Sequence, residues 1–433
     1  MRRNLLLLDT LILLLSMAYI TLGAERVPFH GDESTTIWMS RDYDTAILRH
    51  DPAALGYEAP ARRTTDQHMR VITGNFSKLL VGAAWSGAGM QVEDINDQWV
   101  WGLDMDWNRQ NGHVPSERLL MIARLTSAWL TALGVVLLLA CTQLIARHYL
   151  SHPLAIHGAG WGAVLLYALN PAILLHGRRA MFDAGLLFGL LLVVWVALRL
   201  LLSPRTWRTY LVAGLFTGLA LTTKHTAAFT VVLLYAALGM EHLFRREWPA
   251  IRNLALATVT ALLTVYVLTP LWWSAPLDGP HAAIDERQKI LDEQVAFFGG
   301  YTNTTERLTA LWDEALHIVP QYYEADYWAT YNGVQAEIND YQHSGLAGWR
   351  DDIGIFALRL LTLAVGLWLV IRHWRTPTTR LLLVWLVGIL LITLVSVPLH
   401  WQRYYLPIQP PLIILMGLGL GALIESRGAR VIL

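Results

Sequence analysis

Residues 5–22 read LLLLDTLILLLSMAYITL, and residues 186–202 read LLFGLLLVVWVALRLLL. Runs this long with so few charges have no polar face to turn toward water, so they do not suit ordinary surface or core helices. They do match the roughly 20 residues needed to cross a bilayer. The first run carries a single charge, Asp9, near its N-terminal end. No clear small-residue cleavage site separates it from Ala24-Glu25-Arg26, so it reads as a retained span rather than a removed leader.

Working outward, the same window places spans near residues 5–22, 120–146, 156–175, 184–202, 210–223, 227–244, 251–273, 353–371, 381–397 and 404–424. The composition agrees, with 55% hydrophobic and 15% charged residues in a chain of 433. Arginines gather in alternate connections: Arg2-Arg3, Arg147, Arg205 with Arg208, Arg245-Arg246 with Arg252, Arg372 with Arg375 and Arg380, and Arg427 with Arg430. By the positive-inside rule those connections and both termini are cytoplasmic. The expected fold is an all-α membrane protein of about ten transmembrane helices, with residues 1–433 as one polytopic domain. Two long exoplasmic loops, 23–118 and 274–352, are expected to carry interfacial helices.

Lys and Arg number 33, as do Asp and Glu, so there is no net field to attract nucleic acid. The one cysteine, Cys141, lies inside a span and leaves the exported loops without internal disulfides. There is no P-loop, no Cys/His zinc spacing and no nucleophile elbow. The glycine pairs 185/189, 214/218 and 417/421 have the small-xxx-small spacing of close helix packing. Asn75-Phe-Ser and Asn303-Thr-Thr match the glycosylation acceptor pattern.

In the first loop, residues 34–49 suit an amphipathic interfacial helix. In the second, residues 282–298 space Ile284, Ile290, Leu291, Val295 and Phe298 for one apolar face. The stretch after it, rich in Trp312, Tyr322, Tyr323, Tyr327, Trp328 and Tyr331, fits a headgroup belt or a sugar-stacking platform.

The candidate chemistry gathers on the exoplasmic side. Asp32 and Glu33 follow the first span, and a carboxylate there can act as a general base. Asp32 or Ser34 equally suits a helix N-cap, with the acids favoured by the helix dipole. Asn170-Pro171 breaks an apolar run, which then delivers His176, Arg178, Arg179 and Asp183. Lys224-His225 and Arg403-Tyr404 stand in the next outer turns. Arginine forks bind phosphate oxygens bidentately, so this collection suits a phosphate held at the membrane surface.

These residues resemble the C-type integral-membrane glycosyltransferases, in the protein O-mannosyltransferase and aminoarabinose-transferase branch. The likeness rests on Asp32-Glu33, Glu117-Arg118 with Arg124-Leu-Thr-Ser-Ala, Asn170-Pro171 with Arg179-Ala-Met-Phe-Asp183, Gly218-Leu-Ala-Leu-Thr-Thr-Lys224-His-Thr, and Arg403-Tyr404-Tyr405-Leu-Pro407, in the family's order. The family commonly places an aromatic shortly after the acidic pair, where this chain has Ser34-Thr35-Thr36-Ile37. The resemblance implies a polyprenyl-phosphate sugar donor and an exoplasmic acceptor that is a protein, lipid or glycan. Asp32 would be the base in an inverting displacement, and Glu33 and Asp183 would position hydroxyls. Arg178, Arg179, Lys224, Arg403 and Tyr404 would bind the lipid phosphate. No nucleotide or redox cofactor is needed, and a divalent cation on Asp32, Glu33 or Asp183 stays open because hard cations take oxygen ligands.

Two other classes compete. A catalytically silent relative in a larger complex would use the same charges as salt bridges. A transporter of a polyprenyl-linked substrate would show midplane charges and inverted repeats, and neither is evident in the sequence.

Overall fold

The computed structural model describes residues 2–60, 66–202, 206–350 and 352–431, so Arg205 of the orientation argument lies outside the described residues. Every regular element described is helical. The long apolar runs form α1 (Arg2–Leu22), α6 (Glu117–Ala146), α9 (Phe182–Leu202), α11 (Ala227–Phe244), α12 (Trp248–Leu268), α17 (Ile353–Arg372), α18 (Pro377–Ser396) and α20 (Gln409–Val431). Among the described residues, 8 helices are long and apolar enough to cross a membrane. The count becomes 9 if α7 (Pro153–Ala168) and α8 (Pro171–Arg178) form one span bent by 61°. The tenth expected span is α10 (Trp207–Leu221), helical but only 15 residues long. The chain is a multi-pass membrane protein.

The bend between α7 and α8 follows from two adjacent residues. Asn170 caps α8, its Oδ1 accepting the Ala172 and Ile173 amides at 3.0 and 3.1 Å. Pro171 occupies the first helical position, where its missing N–H is not needed. The restart keeps α8 wholly buried and aims its last residues at the two long loops.

The centre of the bundle is α6, α7, α9 and α20, with α20 lying along both α7 and α17. That approach depends on glycine, since a Cβ on Gly417 would sit 2.6 Å from the Ala159 carbonyl and one on Gly366 would collide with the Leu415 carbonyl. Outward faces stay apolar and uncovered, as at Leu7, Leu15, Val232, Leu262 and Val395. Lipid is the solvent for such surfaces. Asp9 faces inward instead, accepting from Trp161 Nε1 at 2.6 Å and lying 2.9 Å from His157 Nδ1. An intramembrane carboxylate is tolerable when hydrogen-bonded in this way.

The first loop carries α2 (Gly31–Met39), α3 (Asp66–Ile72), α4 (Phe76–Gly87) and α5 (Met105–Gln110). The second carries α13 (Asp278–Phe298), α14 (Thr304–Trp312), α15 (Asp326–Tyr331) and α16 (Gln335–His343). α19 (Gln402–Tyr405) leads into α20. The 34–49 stretch divides into α2, which is buried because α4 and α6 pack over it, and a separate helical turn at Asp44–Leu48 that leaves Ile47 and Leu48 exposed. The aromatic-rich stretch divides. Tyr322 and Tyr323 are buried, and the Tyr323 hydroxyl donates to the Phe29 carbonyl at 2.9 Å. Trp328 stacks on Trp101 with ring centroids 5.0 Å apart. These contacts lace the two loops together. Asn75 is buried and donates to the Leu268 carbonyl at 3.1 Å, whereas Asn303 caps α14 on the surface.

Candidate functional site

The site begins with the cap of α2. His30 Nδ1 accepts the Asp32 amide at 3.1 Å, and the Glu33 carboxylate accepts the His30 amide at 3.0 Å. The N-cap is thus His30 rather than Asp32 or Ser34, with Glu33 completing the cap from the third helical position, and the Asp32 carboxylate is left to face elsewhere. Consecutive helical positions point about 100° apart, so the two acids cannot share one environment.

Glu33 is fully buried. Arg124 grips it bidentately, Nε and Nη2 each 2.8 Å from a carboxylate oxygen, and the Ala180 amide donates at 3.0 Å. Burial pushes its pKa up, but the guanidiniums of Arg124 and Arg179 outweigh this and hold it below the ordinary carboxylate range.

Asp32 instead lines a cavity of about 320 Å³ together with Asp183, Lys224, Arg287, Arg403 and Tyr404. Its side chain keeps 28% exposure. Arg403 Nη1 pairs with Asp32 Oδ2, while Nη2 reaches Glu324 Oε1 at 3.1 Å. Asp183, at the start of α9, holds Lys224 Nζ at 2.6 Å. Burial lowers the Lys224 pKa and Asp183 opposes the shift. Arg287 donates to the Tyr404 hydroxyl at 3.3 Å, which donates to Gln294 Oε1 at 3.2 Å. Met39, Met69, Ile72, Phe182 and Ile290 complete the wall, so one hollow offers carboxylates, cations and apolar surface together.

The expected residues thus separate into two sets. Asp32, Asp183, Lys224, Arg403 and Tyr404 come together in the cavity. Glu33, Arg178 and Arg179 do not line it. Arg178 Nε and Nη2 donate to the Ile20 and Tyr19 carbonyls at 2.9 and 2.7 Å, and Nη1 to the Tyr341 hydroxyl at 2.8 Å. Arg179 donates to the Pro28 and Tyr322 carbonyls at 3.1 and 2.9 Å. Arg178 pins the end of α1 to the second long loop, and Arg179 pins backbone of both long loops.

The acids that approach one another closely enough to share a cation also differ from the expected Asp32, Glu33 and Asp183. Among the described residues they are Asp32 and Glu324 with His30, whose ligand atoms lie within 4.8 Å. Glu33 is committed to Arg124, and Asp183 to Lys224. A nitrogen and two carboxylates suit a divalent ion chemically, but the Arg403 guanidinium already bridges the two acids. A metal there would have to displace it.

Sequence reasoning missed Arg287, Gln294 and Glu324. Arg287 and Gln294 were legible in principle, since positions 287, 290 and 294 fall on one face of α13 beside the apolar Ile290. Glu324 gave no such signal, standing in a loop among aromatics.

The comparisons agree with this architecture. The model of the family described as dolichyl-phosphate-mannose-protein mannosyltransferase matches residues 64–282, just over half of the 433-residue chain. The fold is similar to ArnT from Cupriavidus metallidurans bound to undecaprenyl phosphate, with TM-score 0.55 and 16% identity over 99% of this chain and 63% of that one. It is also similar to the archaeal oligosaccharyltransferase AglB from Archaeoglobus fulgidus in complex with an inhibitory peptide and a dolichol-phosphate, with TM-score 0.50 and 14% identity over 98% of this chain and 51% of that one. The chain therefore spans less than two thirds of the length of either. No curated protein sequence matches it. The fold class is that of the C-type membrane glycosyltransferases. Within that class, the chain belongs to the dolichyl-phosphate-mannose-protein mannosyltransferase family.

Proposed function

We propose that this protein transfers a sugar from a polyprenyl-phosphate donor to an exoplasmic acceptor, with Asp32 as general base. The observation that carries the reading is the placement of Asp32 in one hollow with Lys224, Arg287 and Arg403. Cations beside a cavity that also has apolar walls suit a phosphate on a lipid tail, and the relatives by fold include structures with undecaprenyl phosphate and dolichol-phosphate bound.

In this mechanism Asp32 takes the proton of the acceptor hydroxyl as its oxygen attacks the anomeric carbon. The bond from that carbon to the phosphate oxygen breaks, and its electron pair leaves with the lipid phosphate. Lys224, Arg287 and Arg403 stabilise the charge developing there. No acid is required, because the phosphate leaves as an anion. A single displacement inverts the anomeric centre. Asp183 orients a sugar or acceptor hydroxyl and holds Lys224 in place. The site belongs to the side opposite the arginine-rich connections, hence the exoplasmic side, with the termini cytoplasmic.

The test is transfer by the purified protein in lipid, supplied with a polyprenyl-phosphate sugar and candidate acceptors. Product with the opposite anomeric configuration is expected from the wild type and none from Asp32→Asn. Equal turnover in both would remove Asp32 from the chemistry.

A further inference from the structure

Glu324 is well buried, with 8% of its side chain exposed, and it lies in the loop between α14 and α15. Its carboxylate does two things at once. Oε1 accepts from Arg403 Nη2 at 3.1 Å, and Oε2 lies 3.0 Å from His30 Nε2. The second contact has a defined direction. His30 Nδ1 accepts the Asp32 amide, so that nitrogen carries no proton and Nε2 must be the one that donates to Glu324. Asp32, Arg403, Glu324 and His30 form a closed ring that returns to the backbone of Asp32 itself.

The ring explains a feature that the pair alone does not. An arginine fork beside a lone carboxylate favours the bidentate arrangement, which engages both oxygens, as Arg124 does with Glu33. Arg403 instead gives Asp32 only Nη1 and spends Nη2 on Glu324. Among the described residues, the other Asp32 oxygen has no protein hydrogen bond, while the residue faces the cavity. Burial raises the Glu324 pKa, but Arg403 and His30 together hold it below the ordinary carboxylate range, so it stays charged and keeps its grip.

We propose that Glu324 is a positioning residue that splits the Arg403 fork, so that Asp32 keeps one oxygen free for the acceptor proton. It acts from the second exported loop on a residue of the first. The inference rests on the reading of Asp32 as base given above. It also carries a consequence of unusual sign: Glu324 is a negative charge beside an anion site, so removing it should favour phosphate binding while harming turnover.

The experiment compares wild type, Glu324→Ala and Glu324→Gln in lipid nanodiscs, measuring undecaprenyl phosphate affinity by titration and kcat with the sugar-charged donor. For Glu324→Ala, kcat should fall about tenfold while the lipid phosphate binds about threefold more tightly, a split that mutant kinetics can resolve. Glu324→Gln keeps an acceptor for Arg403 without the charge, so it should show the tighter binding and recover most of the turnover. Unchanged kcat in Glu324→Ala would overturn the proposal. So would affinity and turnover falling together in both variants, since that is the signature of a merely structural side chain. A wild type that neither binds the lipid phosphate nor transfers sugar would instead sink the functional reading beneath it.

Discussion

Two neighbouring regions of this molecule are built from the same residue types and do opposite things. Around Glu33 the arginines Arg124, Arg178 and Arg179 are buried, and their bonds go to one carboxylate, to backbone carbonyls and to a tyrosine hydroxyl. Around Asp32, one residue away, Arg403, Arg287 and Lys224 line a hollow. The first region is a buried frame that ties α1, α2 and the second long loop to α6 and α8. The second opens onto a hollow, and its Arg403 is shared between Asp32 and Glu324. A buried, fully satisfied pair fixes geometry, whereas a partly exposed one can exchange partners with a ligand. Identity of charge says little about role, and the distribution of hydrogen bonds says much.

The sharpest way to break this contrast is to neutralise the two acids separately. Asp32→Asn should lower sugar transfer by about 10²–10⁴-fold, the range of general-base catalysis, with thermal unfolding close to wild type. A variant that instead melts early would place Asp32 in the frame. Glu33→Gln should do the converse. It leaves Arg124 buried without its counter-charge, at a cost of about 3–5 kcal/mol, read as a lowered unfolding temperature in detergent. Wild-type stability in that variant would show that the dry pair is dispensable.

On the wet side, Arg287→Ala should weaken undecaprenyl phosphate binding roughly tenfold, about 1.4 kcal/mol. Unaltered affinity would leave Arg287 as a prop for Tyr404 alone. A pH-dependent effect concerns His225, which lines the same cavity. Burial, helped by Arg287 and Lys78, lowers its pKa to about 4. The folded form thus binds fewer protons than the unfolded chain, whose value is about 6.5. Stability present above that value is lost as pH falls toward 4. Unfolding temperatures measured across this window should converge for wild type and His225→Gln at acid pH, and parallel curves would discard the idea.

Much of the architecture was legible early because bilayer spans leave a crude, strong signal. The expected spans at residues 184–202 and 353–371 coincide with α9 and α17 to within a residue or two. The short α10 and the break at Asn170-Pro171 were also visible, through local composition and proline chemistry. The site was legible only as a collection. Asp32, Asp183, Lys224 and Arg403 meet as their shared side of the bundle suggested, yet Arg178 and Arg179, on that same side, point into packing. The helical stretch expected at 34–49 divided into the buried α2 and an exposed helical turn at Asp44–Leu48, because α4 and α6 cover only the first part, a long-range event that no local pattern encodes.

The amino-acid order by itself therefore determined which segments enter the membrane and which charged residues reach one common face, since both follow from hydropathy and the spacing of spans. Only the tertiary structure decided which of those charges are consumed and which remain available. That choice turns on the rotation of single side chains and on partners hundreds of residues away, as when Glu324 meets His30 across 294 positions. The reason is energetic: a buried charge must find its counterpart wherever the fold supplies one, and sequence neighbours carry no record of that search.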